Sequence, residues 1–562
     1  MRHRLYVFSI ILLAGIVQRT AAQQEKLPNP FDFPILLSGN FGELRSNHFH
    51  SGIDFKTQGA EGKAVHVTGD GFLSRISVSP GGYGNALYVD HPDGTTTVYA
   101  HLQRFTAEVA AYVKEEQYKA ERFAVNLTPS PEQFPVKKGE VIAWSGNTGS
   151  SSGPHLHFEI RHTETEEVID PLPYFQSGII DERAPRIQGV MVYPIEGEGV
   201  VNGGTRKREY KQFAVSGGRQ TINQRIEAWG KIGLGVKAYD YMNNTSNIYG
   251  VKEVVLEIDG EQVFRSDLDR FAFDESRYIN SFIDYEEWAE NRSFYMKSFI
   301  EPGNRLRFLQ GRDRGYLTIN EERPYELVYT LTDIYGNKVR LAFTIQGKEQ
   351  PIPQPDTTNT TPFHWASVNR FGAKGVRLTI PSRNLYTDLL FHYTVDEDST
   401  GYAAVHHLHN RQVALHRQAQ LSIRVQNDTL ENKAQYGIVH IYKGRKAWTG
   451  GSYRDGWVDA NIRELGSYSV AVDTVSPTIT PVSQSTWVKN QRFSFRLSDN
   501  LSGVSTYHGE IDGEYVLFEM NNRSVITYHF DKEKLERGRH TLRLCVTDAC
   551  GNESVFEHSF SW

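Results

Sequence analysis

A repeated pattern in the last two-thirds of the chain constrains the fold more than any other feature of the sequence. Gly250-Val251 followed by Ile258-Asp259-Gly260 recurs at the same spacing as Gly503-Val504 followed by Ile511-Asp512-Gly513. Segments 331–337 and 546–552 also match, and each ends in Asp-x-x-Gly-Asn. Glycine and asparagine accept positive φ, so this ending is typical of a hairpin turn, with a calcium site as the alternative. The repeat predicts two copies of one β-sandwich domain.

The length of the chain and its linkers predict several domains. A chain of 562 residues exceeds one hydrophobic core, since domains usually hold about 100 to 200 residues. A proline- and threonine-rich linker follows the first sandwich copy, and its composition is that of a stiff and then polar spacer. The predicted fold class is all-β, with an N-terminal antiparallel β-sheet domain followed by about three β-sandwich domains. The predicted segments are an N-terminal domain at 23–178, an Ig-like β-sandwich at 184–348, the linker at 349–361, a β-rich domain at 362–473 and a second Ig-like β-sandwich at 474–562.

The first 22 residues have the layout of a secretory signal peptide. Basic residues precede an apolar run from Leu5 to Val17, and Thr20-Ala21-Ala22 places small residues at the expected cleavage site. Ile16 stands where a lipidated cysteine would be needed, which disfavours a lipid anchor. No other stretch approaches the roughly 20 apolar residues of a membrane span. The sequence therefore predicts an exported protein, periplasmic or extracellular, without a membrane span.

The charge of the chain limits the class of binding partner, and its cysteines leave two covalent states open. The formal net charge is −6, and removing the signal peptide with its three arginines makes it more negative. Such a balance disfavours nucleic acid as a partner. The two cysteines, Cys545 and Cys550, are compatible with a small disulfide or with two buried thiols.

The region from about Asn29 to Phe175 is rich in glycine and in short alternating segments, which predicts strands joined by tight turns. One exception lies between Thr106 and Arg122, where apolar residues fall at helical spacing and Glu115 precedes Lys119 by four positions. We expect a short amphipathic helix there, within an insertion at 106–134. The insertion either borders a functional cleft or is a surface addition without a role.

Two short segments of this region carry residues suited to metal chemistry. In His50-Ser-Gly-Ile-Asp54, the glycine and the β-branched isoleucine disfavour a helix and favour a loop that enters a strand. An imidazole and a carboxylate brought together in this way suit zinc, although the spacing also occurs by chance and His48 is a competitor. In Gly153-Pro-His155-Leu-His157, strand periodicity places both histidines on one face. A solvent-facing polar pair is the alternative there, and His101 alone fits a half-buried structural histidine.

Taken together, these segments resemble the lysostaphin/LytM-type zinc metallopeptidases, a family of peptidoglycan endopeptidases, over about Asn29 to Phe175. The segments that carry the resemblance are Asn40-Phe-Gly-Glu-Leu-Arg45, His50-Ser-Gly-Ile-Asp54, Gly81-Gly-Tyr-Gly-Asn85, Val89-Asp-His91, Tyr99-Ala-His-Leu102, Val136-Lys-Lys-Gly139, Gly146-Asn-Thr-Gly149 and Gly153-Pro-His-Leu-His-Phe-Glu159. The resemblance implies a LytM-like domain in which His50, Asp54 and His157 hold Zn²⁺. It also implies that His101 and His155 line the reaction centre, with His155 favoured as the base and His101 as the oxyanion stabiliser.

The resemblance implies a hydrolase that cleaves peptide bonds in peptidoglycan stem peptides or cross-links. A zinc with three protein ligands keeps an open position for water, as catalytic sites do. The chain departs from better known members in its acidic balance and its sandwich domains, so the substrate is less specified than the mechanism. The alternatives are a catalytically silent LytM-like regulator or scaffold of cell-wall enzymes. A non-haem iron oxygenase is disfavoured, because its first ligand pair is normally separated by one residue.

Overall fold

The computed structural model describes residues 26–562 apart from 212, 217–218, 399 and 522–523. The predicted signal peptide at 1–22 lies outside the described residues. Antiparallel strands dominate the described chain and helices are few and short, which confirms the predicted all-β class. No helix in the described part of the chain is long and apolar enough to cross a membrane. Cys545 and Cys550 are free thiols.

The first unit contains one long antiparallel sheet, one three-stranded sheet, one two-stranded sheet of β2 and β3, and two helices. Its elements are β1 Leu37–Gly39, β2 Leu44–Arg45, β3 His48–Phe49, β4 Ile53–Lys56, β5 Ala64–His66, β6 Gly71–Val78, β7 Ala86–Asp90, β8 Thr95–Ala100, β9 Leu102–Phe105, α1 Ala107–Lys119, β10 Val125–Leu127, β11 Pro135–Val136, β12 Val141–Ser145, β13 His155–His162, β14 Val168–Ile169 and α2 Leu172–Phe175. The long sheet has the order β1-β4-β13-β8-β7-β6-β10, and the short sheet has the order β5-β12-β9. The predicted amphipathic helix is present as α1, with Lys119 paired to Glu115 at 2.7 Å.

Strand β13 lies at the centre of the long sheet, between β4 and β8. Its period-two pattern separates two faces. Leu156, Phe158 and Ile160 are buried on one face, where Phe158 packs against the rings of Phe55 and Phe175. The opposite face carries the polar side chains of the same strand. The apolar face therefore fixes the register that positions the polar face.

The second unit is built around one large sheet. Its elements are β15 Arg186–Val201, β16 Arg208–Tyr210, β17 Phe213–Ser216, β18 Arg219–Ile222, β19 Glu227–Tyr239, β20 Glu253–Ile258, β21 Glu261–Asp267, β22 Arg270–Phe271, α3 Ile279–Phe282, α4 Tyr285–Asn291, β23 Met296–Lys297, β24 Leu309–Gly311, β25 Leu317–Ile319, β26 Pro324–Thr332 and β27 Lys338–Gly347. The main order is β16-β15-β19-β27-β26-β20-β21-β24. Strand β22 pairs with β14 and so belongs to the long sheet of the first unit.

The third and fourth units each contain two sheets whose side chains share one core. The third has β28 Thr360–Phe363, β29 Asn369–Ala373, β30 Val376–Ile380, β31 Leu389–Asp396, β32 Val405–Leu408, β33 Ala414–Arg424, β34 Tyr436–Tyr442, β35 Arg445–Gly450, β36 Ser452–Arg454, β37 Trp457–Glu464 and β38 Gly466–Val472. The fourth has β39 Thr478–Pro481, α5 Trp487–Asn490, β40 Arg492–Ser498, β41 Val504–Ile511, β42 Glu514–Tyr515, β43 Glu519–Asn521, β44 Val525–His529, β45 Arg539–Asp548 and β46 Glu553–Ser561.

The sequence repeat corresponds to the same four-stranded arrangement in the second and fourth units. The orders are β21-β20-β26-β27 and β42-β41-β45-β46. The Asp259-Gly260 turn has φ of 50° and 81°, and the Asp512-Gly513 turn has φ of 53° and 87°. Two successive positive φ values fit the tight turn of a two-residue hairpin, which is why the sequence repeats there.

The first two units share one continuous apolar core. Phe49 of the first unit is 1% exposed, and its ring lies 5.6 to 6.1 Å from those of Phe271, Phe282 and Phe308 of the second unit. Asn40 adds polar contacts, since its side chain donates to the carbonyl of Gly250 and accepts from the amide of Gly250, both at 2.8 Å. The second unit is therefore packed directly behind the polar face of β13.

Candidate metal centre

The sheet register brings the predicted residues together from three separate segments. His157 on β13 stands opposite Asp54 on β4 and opposite Ala100 on β8. His101 directly follows Ala100, and His50 lies in the loop that leads into β4. The loop-then-strand expectation for His50 and Asp54 is confirmed, so these two side chains meet across a turn and not along a helix.

His50, Asp54 and His157 form a buried triangle of potential metal ligands. His50 Nε2 lies 3.1 Å from Asp54 Oδ1 and 3.0 Å from His157 Nδ1, and His157 Nδ1 lies 2.9 Å from Asp54 Oδ1. The three residues are 2 to 5% exposed. Two imidazole nitrogens and one carboxylate oxygen at this spacing could hold one metal ion.

Each histidine of the triangle is oriented by an acceptor behind it. His50 Nδ1 donates to the carbonyl of Asn40 at 2.6 Å, and His157 Nε2 donates to Glu159 Oε1 at 2.8 Å. These bonds assign the ring protons to the outer nitrogens, so the lone pairs of His50 Nε2 and His157 Nδ1 point into the triangle. Such supporting acceptors are typical of metal-binding histidines.

The charges around the triangle favour an ionised Asp54. Burial raises the pKa of Asp54, but His50 and His157 outweigh it and hold the pKa well below its usual range. Arg45 Nη2 also donates to Asp54 Oδ2 at 2.8 Å. Burial lowers the pKa of His157, while the hydrogen bonds with Asp54 and Glu159 raise it, to about 9. The carboxylates of Asp54 and Glu159 therefore create a negative electrostatic potential at His157 Nδ1, and this potential would stabilise a bound cation.

His101 and His155 lie beside the triangle. Their ring centroids are 4.7 Å apart, and His155 Nε2 is 3.6 Å from Asp54 Oδ1. His101 Nδ1 donates to the carbonyl of Thr148 and His155 Nδ1 donates to that of Gly153, both at 2.8 Å. Both rings thus keep Nε2 available. Burial and the neighbouring His157 and His155 lower the pKa of His101 to about 3, so its ring is neutral. His101 also has φ of 59°, a strained backbone for a non-glycine residue.

The competitor His48 is not part of this group. Its side chain is exposed and its Nδ1 donates to the carbonyl of Ser46 at 2.8 Å. The five residues singled out from the sequence, and not His48, therefore meet in one place.

Residues 48–122 and 119–171 match peptidase family M23. The first unit is an M23 domain. Residues 360–473 match the Zu5-like domain, so the third unit, which the sequence described only as β-rich, resembles a known module. The M23 domain agrees with the resemblance on which the sequence analysis rested.

The curated relatives match about a fifth to a quarter of the chain. The DD-carboxypeptidase/endopeptidase Mpg of Neisseria meningitidis serogroup B is 35% identical over 118 residues, 21% of this chain and 21% of Mpg. The murein hydrolase activator NlpD of Salmonella dublin is 33% identical over 135 residues, 24% of this chain and 28% of NlpD. The chain thus spans about a fifth to a quarter of these relatives' lengths. The crystallised catalytic domain of lysostaphin from Staphylococcus simulans is 24% identical, with a TM-score of 0.19, over 25% of this chain and 92% of that domain.

A buried support behind the M23 triangle was not predicted from the sequence. Glu159 is fully buried and accepts from Ser51 Oγ and Tyr83 Oη, both at 2.5 Å, as well as from His157. Its other oxygen, Oε2, accepts from Arg161 Nε at 2.7 Å. Burial raises the pKa of Glu159, but Arg161 and the hydrogen bond from His157 outweigh it and hold the pKa below its usual range. The signal was available, since Glu159 and Arg161 continue the period-two face of His155 and His157.

The M23 groove that reaches His101 and His155 has a volume of about 810 Å³. Its walls come from the segments around Phe33 to Gly59 and Ser150 to His155, with Asn247 of the second unit. No residue of 106–134 lines it. The insertion instead contacts the fourth unit, where Lys114 Nζ lies 2.7 Å from Asp531 Oδ2. The hypothesis that the insertion borders this groove is therefore wrong for the arrangement seen here.

Proposed function

We propose that the chain is an exported zinc metalloendopeptidase that hydrolyses peptide bonds in the stem peptides or cross-links of peptidoglycan. The observation that carries the proposal is the buried triangle of His50, Asp54 and His157 with two further histidines beside it. Relatives of the M23 domain are named for murein or for carboxypeptidase and endopeptidase action, which supports wall peptides as the substrate class.

The donor set fits zinc in both chemistry and spacing. Imidazole nitrogen and carboxylate oxygen are zinc ligands, and a site with three of them leaves a position for water or substrate. The ligand atoms are 2.9 to 3.1 Å apart. A tetrahedral zinc with bonds of about 2.0 Å separates its ligands by about 3.3 Å, so a shift of a few tenths of an ångström accommodates it. Zinc, when bound, supplies a Lewis acid that polarises a carbonyl and lowers the pKa of water towards about 7.

The chain's own histidines supply the proton transfers. His155 Nε2, next to the triangle and at the mouth of the groove, accepts the proton of the attacking water and later returns it to the leaving amine. His101 lies deeper and is the proposed stabiliser of the negative charge that develops on the carbonyl oxygen; because Thr148 holds its Nδ1 proton, this role requires a second proton on Nε2. Backbone carbonyls hold both rings in place, so neither has to reorient during the reaction.

Digestion of purified peptidoglycan with residues 23–562, followed by mass analysis of the fragments, tests the proposal. We expect new amino termini from the native protein, none from His157→Ala or from a zinc-chelated sample, and unchanged release from the matched control His48→Ala. An intact wall with one equivalent of zinc bound would exclude peptidoglycan as the substrate. Turnover that survives His157→Ala would exclude the proposed centre.

The second candidate is a catalytically silent regulator or scaffold of wall enzymes, and the similarity to the activator NlpD favours it. The complete donor set argues against it, because a silent module has no need of three converging ligands. The same digestion separates the two functions. A regulator leaves the wall intact alone and accelerates a second wall hydrolase, and it does so equally well with His157→Ala.

A further inference from the structure

A second buried group of carboxylates lies at one end of the second unit. Asp181 leads into β15, Asp240 directly follows β19, and Asp333 directly follows β26. One carboxylate oxygen of each lies within 4.8 Å of the others. The three residues are only 8, 2 and 3% exposed. Three acidic side chains are thus held together away from water.

No protein charge within 4.0 Å compensates this group in the described part of the chain. The nearby Arg183 directs its guanidinium to the carbonyls of Met242 and Thr245. Asp181 Oδ2 and Asp240 Oδ1 are fully buried and accept no hydrogen bond from the described residues. A buried carboxylate oxygen without a partner is strongly unfavourable, so two of them within one group of three carboxylates indicate a binding site for a cation.

The fourth unit contains the same arrangement, in which donors of the described residues satisfy the carboxylate oxygens except Asp499 Oδ1. Its equivalent residues are Asp473, Asp499 and Asp548. In both units an asparagine four residues after the last aspartate joins the group, because Asn337 Nδ2 donates to Asp333 Oδ2 and to the carbonyl of Asp181, and Asn552 Nδ2 does the same with Asp548 and Asp473. The hydrogen bonds that this asparagine makes are therefore the same in both units.

The two groups differ in the hydrogen bonds that their outer carboxylates receive. In the fourth unit, the amide of Ser502 donates to Asp473 Oδ2 at 2.8 Å, and the amides of Leu501 and Gly503 donate to Asp499 Oδ2. Asp181 Oδ2, the counterpart of the first of these acceptors, has no such donor. Among the described residues, the second unit thus leaves two of these oxygens without a donor, Asp181 Oδ2 and Asp240 Oδ1, whereas the fourth unit leaves one, Asp499 Oδ1.

We propose that Asp181, Asp240 and Asp333 bind one calcium ion. The ligands are all carboxylate oxygens, which calcium and other hard cations prefer, whereas zinc and the softer metals favour nitrogen and sulfur. Burial and the neighbouring Asp333 and Asp181 raise the pKa of Asp240 to about 8. A proton is therefore the competitor of the ion at this site.

The ion would lie at the connection between the M23 domain and the second unit. Asp181 belongs to the segment that joins them, and Gln176 Nε2 in the same segment donates to the carbonyl of Ile334 beside Asp333. Calcium would thus tie the joining segment to the ends of β19 and β26. The proposal does not depend on the peptidase function.

Calcium titration of residues 23–562, followed by calorimetry and by thermal unfolding at pH 7.5, tests the proposal. We expect one calcium per chain, with a Kd of about 10⁻⁴ to 10⁻³ M as in extracellular calcium modules, and a rise in Tm. Asp240→Asn should remove both responses and raise Tm in chelator, because it removes the charge repulsion. His157→Ala should leave calcium uptake unchanged, which separates this site from the zinc centre.

Asp499→Asn in the fourth unit is the matched control and should keep one calcium per chain. Circular dichroism checks folding, and Asp181→Asn replaces Asp240→Asn if the latter does not fold. The proposal is overturned by native protein that takes up no calcium, by uptake that survives both Asp240→Asn and Asp181→Asn, or by uptake lost in Asp499→Asn alone. Stability that responds to pH through about 8 but not to calcium identifies the proton as the sole occupant.

Discussion

Glu159→Gln isolates the contribution of the buried carboxylate behind the proposed zinc-binding triangle. The substitution preserves size and shape, but the hydrogen-bond partners of Glu159 in the described part of the chain are all donors: Ser51, Tyr83, His157 and Arg161. An amide has one oxygen and one NH₂ group. Whichever way it is turned, its NH₂ group faces donors, so His157 or Arg161 loses its acceptor.

Two magnitudes follow from these contacts. Loss of an outer partner of a metal-binding histidine usually lowers metal affinity about 10- to 100-fold, or about 1.4 to 2.7 kcal/mol. Removal of one partner of a buried ion pair destabilises the fold by about 3 to 5 kcal/mol. Arg161 keeps a second partner, Glu166, at 3.1 Å, so we expect the lower end of that range.

Zinc affinity is measured by competition with a chromophoric chelator, and stability by guanidinium unfolding in the presence of chelator. Glu166→Gln is the matched control, because Glu166 contacts the same Arg161, is partly exposed and does not contact His157. We expect this control to retain native zinc affinity. Equal zinc affinity in Glu159→Gln and native protein, or an equal loss in Glu166→Gln, would refute the positioning role of Glu159.

Two further predictions concern stability. Phe49→Ala should lower the free energy of unfolding, measured in urea, by about 3 to 5 kcal/mol, because Phe49 packs against three rings of the second unit. We expect the first two units to unfold in a single transition that shifts as a whole. Separate transitions would contradict this. Burial, reinforced by Asp269 and Asp267 and opposed by Lys252, raises the pKa of Asp170 to about 6. The folded state then holds the proton more tightly than the unfolded state, so this stability is complete below about pH 4 and is lost as pH rises through about 6. At pH 7.5 the Asp170→Asn variant should therefore have a free energy of unfolding up to about 3 kcal/mol higher than that of the native protein, and this difference should shrink towards pH 4. Urea midpoints that differ equally at every pH would contradict the assignment.

The features that the sequence predicted are those that follow from local residue patterns. Period-two alternation predicted the strands, helical spacing predicted α1, and the repeated turns predicted the matching hairpins of the second and fourth units. The convergence of His50, Asp54, His101, His155 and His157 came from motif order, and the register of β4, β13 and β8 brings them together. Their roles as ligands and bases stay predictions.

The features that the sequence did not predict depend on contacts between distant segments. Strand spacing places Glu159 and Arg161 on the face of His157, but the contacts of Glu159 with Ser51 and Tyr83 join distant segments that no spacing predicts. The lack of contact between the insertion and the groove likewise follows from the docking of α1 on the fourth unit. The Asp-x-x-Gly-Asn ending that contains Asp333 offered calcium only as an alternative, and Asp181 and Asp240, more than fifty residues apart, gave no signal until the ends of their strands were placed side by side.

The pairing of β14 with β22 limits where this chain can be truncated and which of its segments can be recombined with other proteins. A protein truncated after residue 178 would leave the backbone of Val168–Ile169 without its neighbour and the ring of Phe49 facing water. Open strand edges beside apolar surface promote association between molecules. Recombination or truncation that moves the M23 domain to another protein therefore has to carry residues up to about 347 with it, and this M23 domain cannot be exchanged on its own.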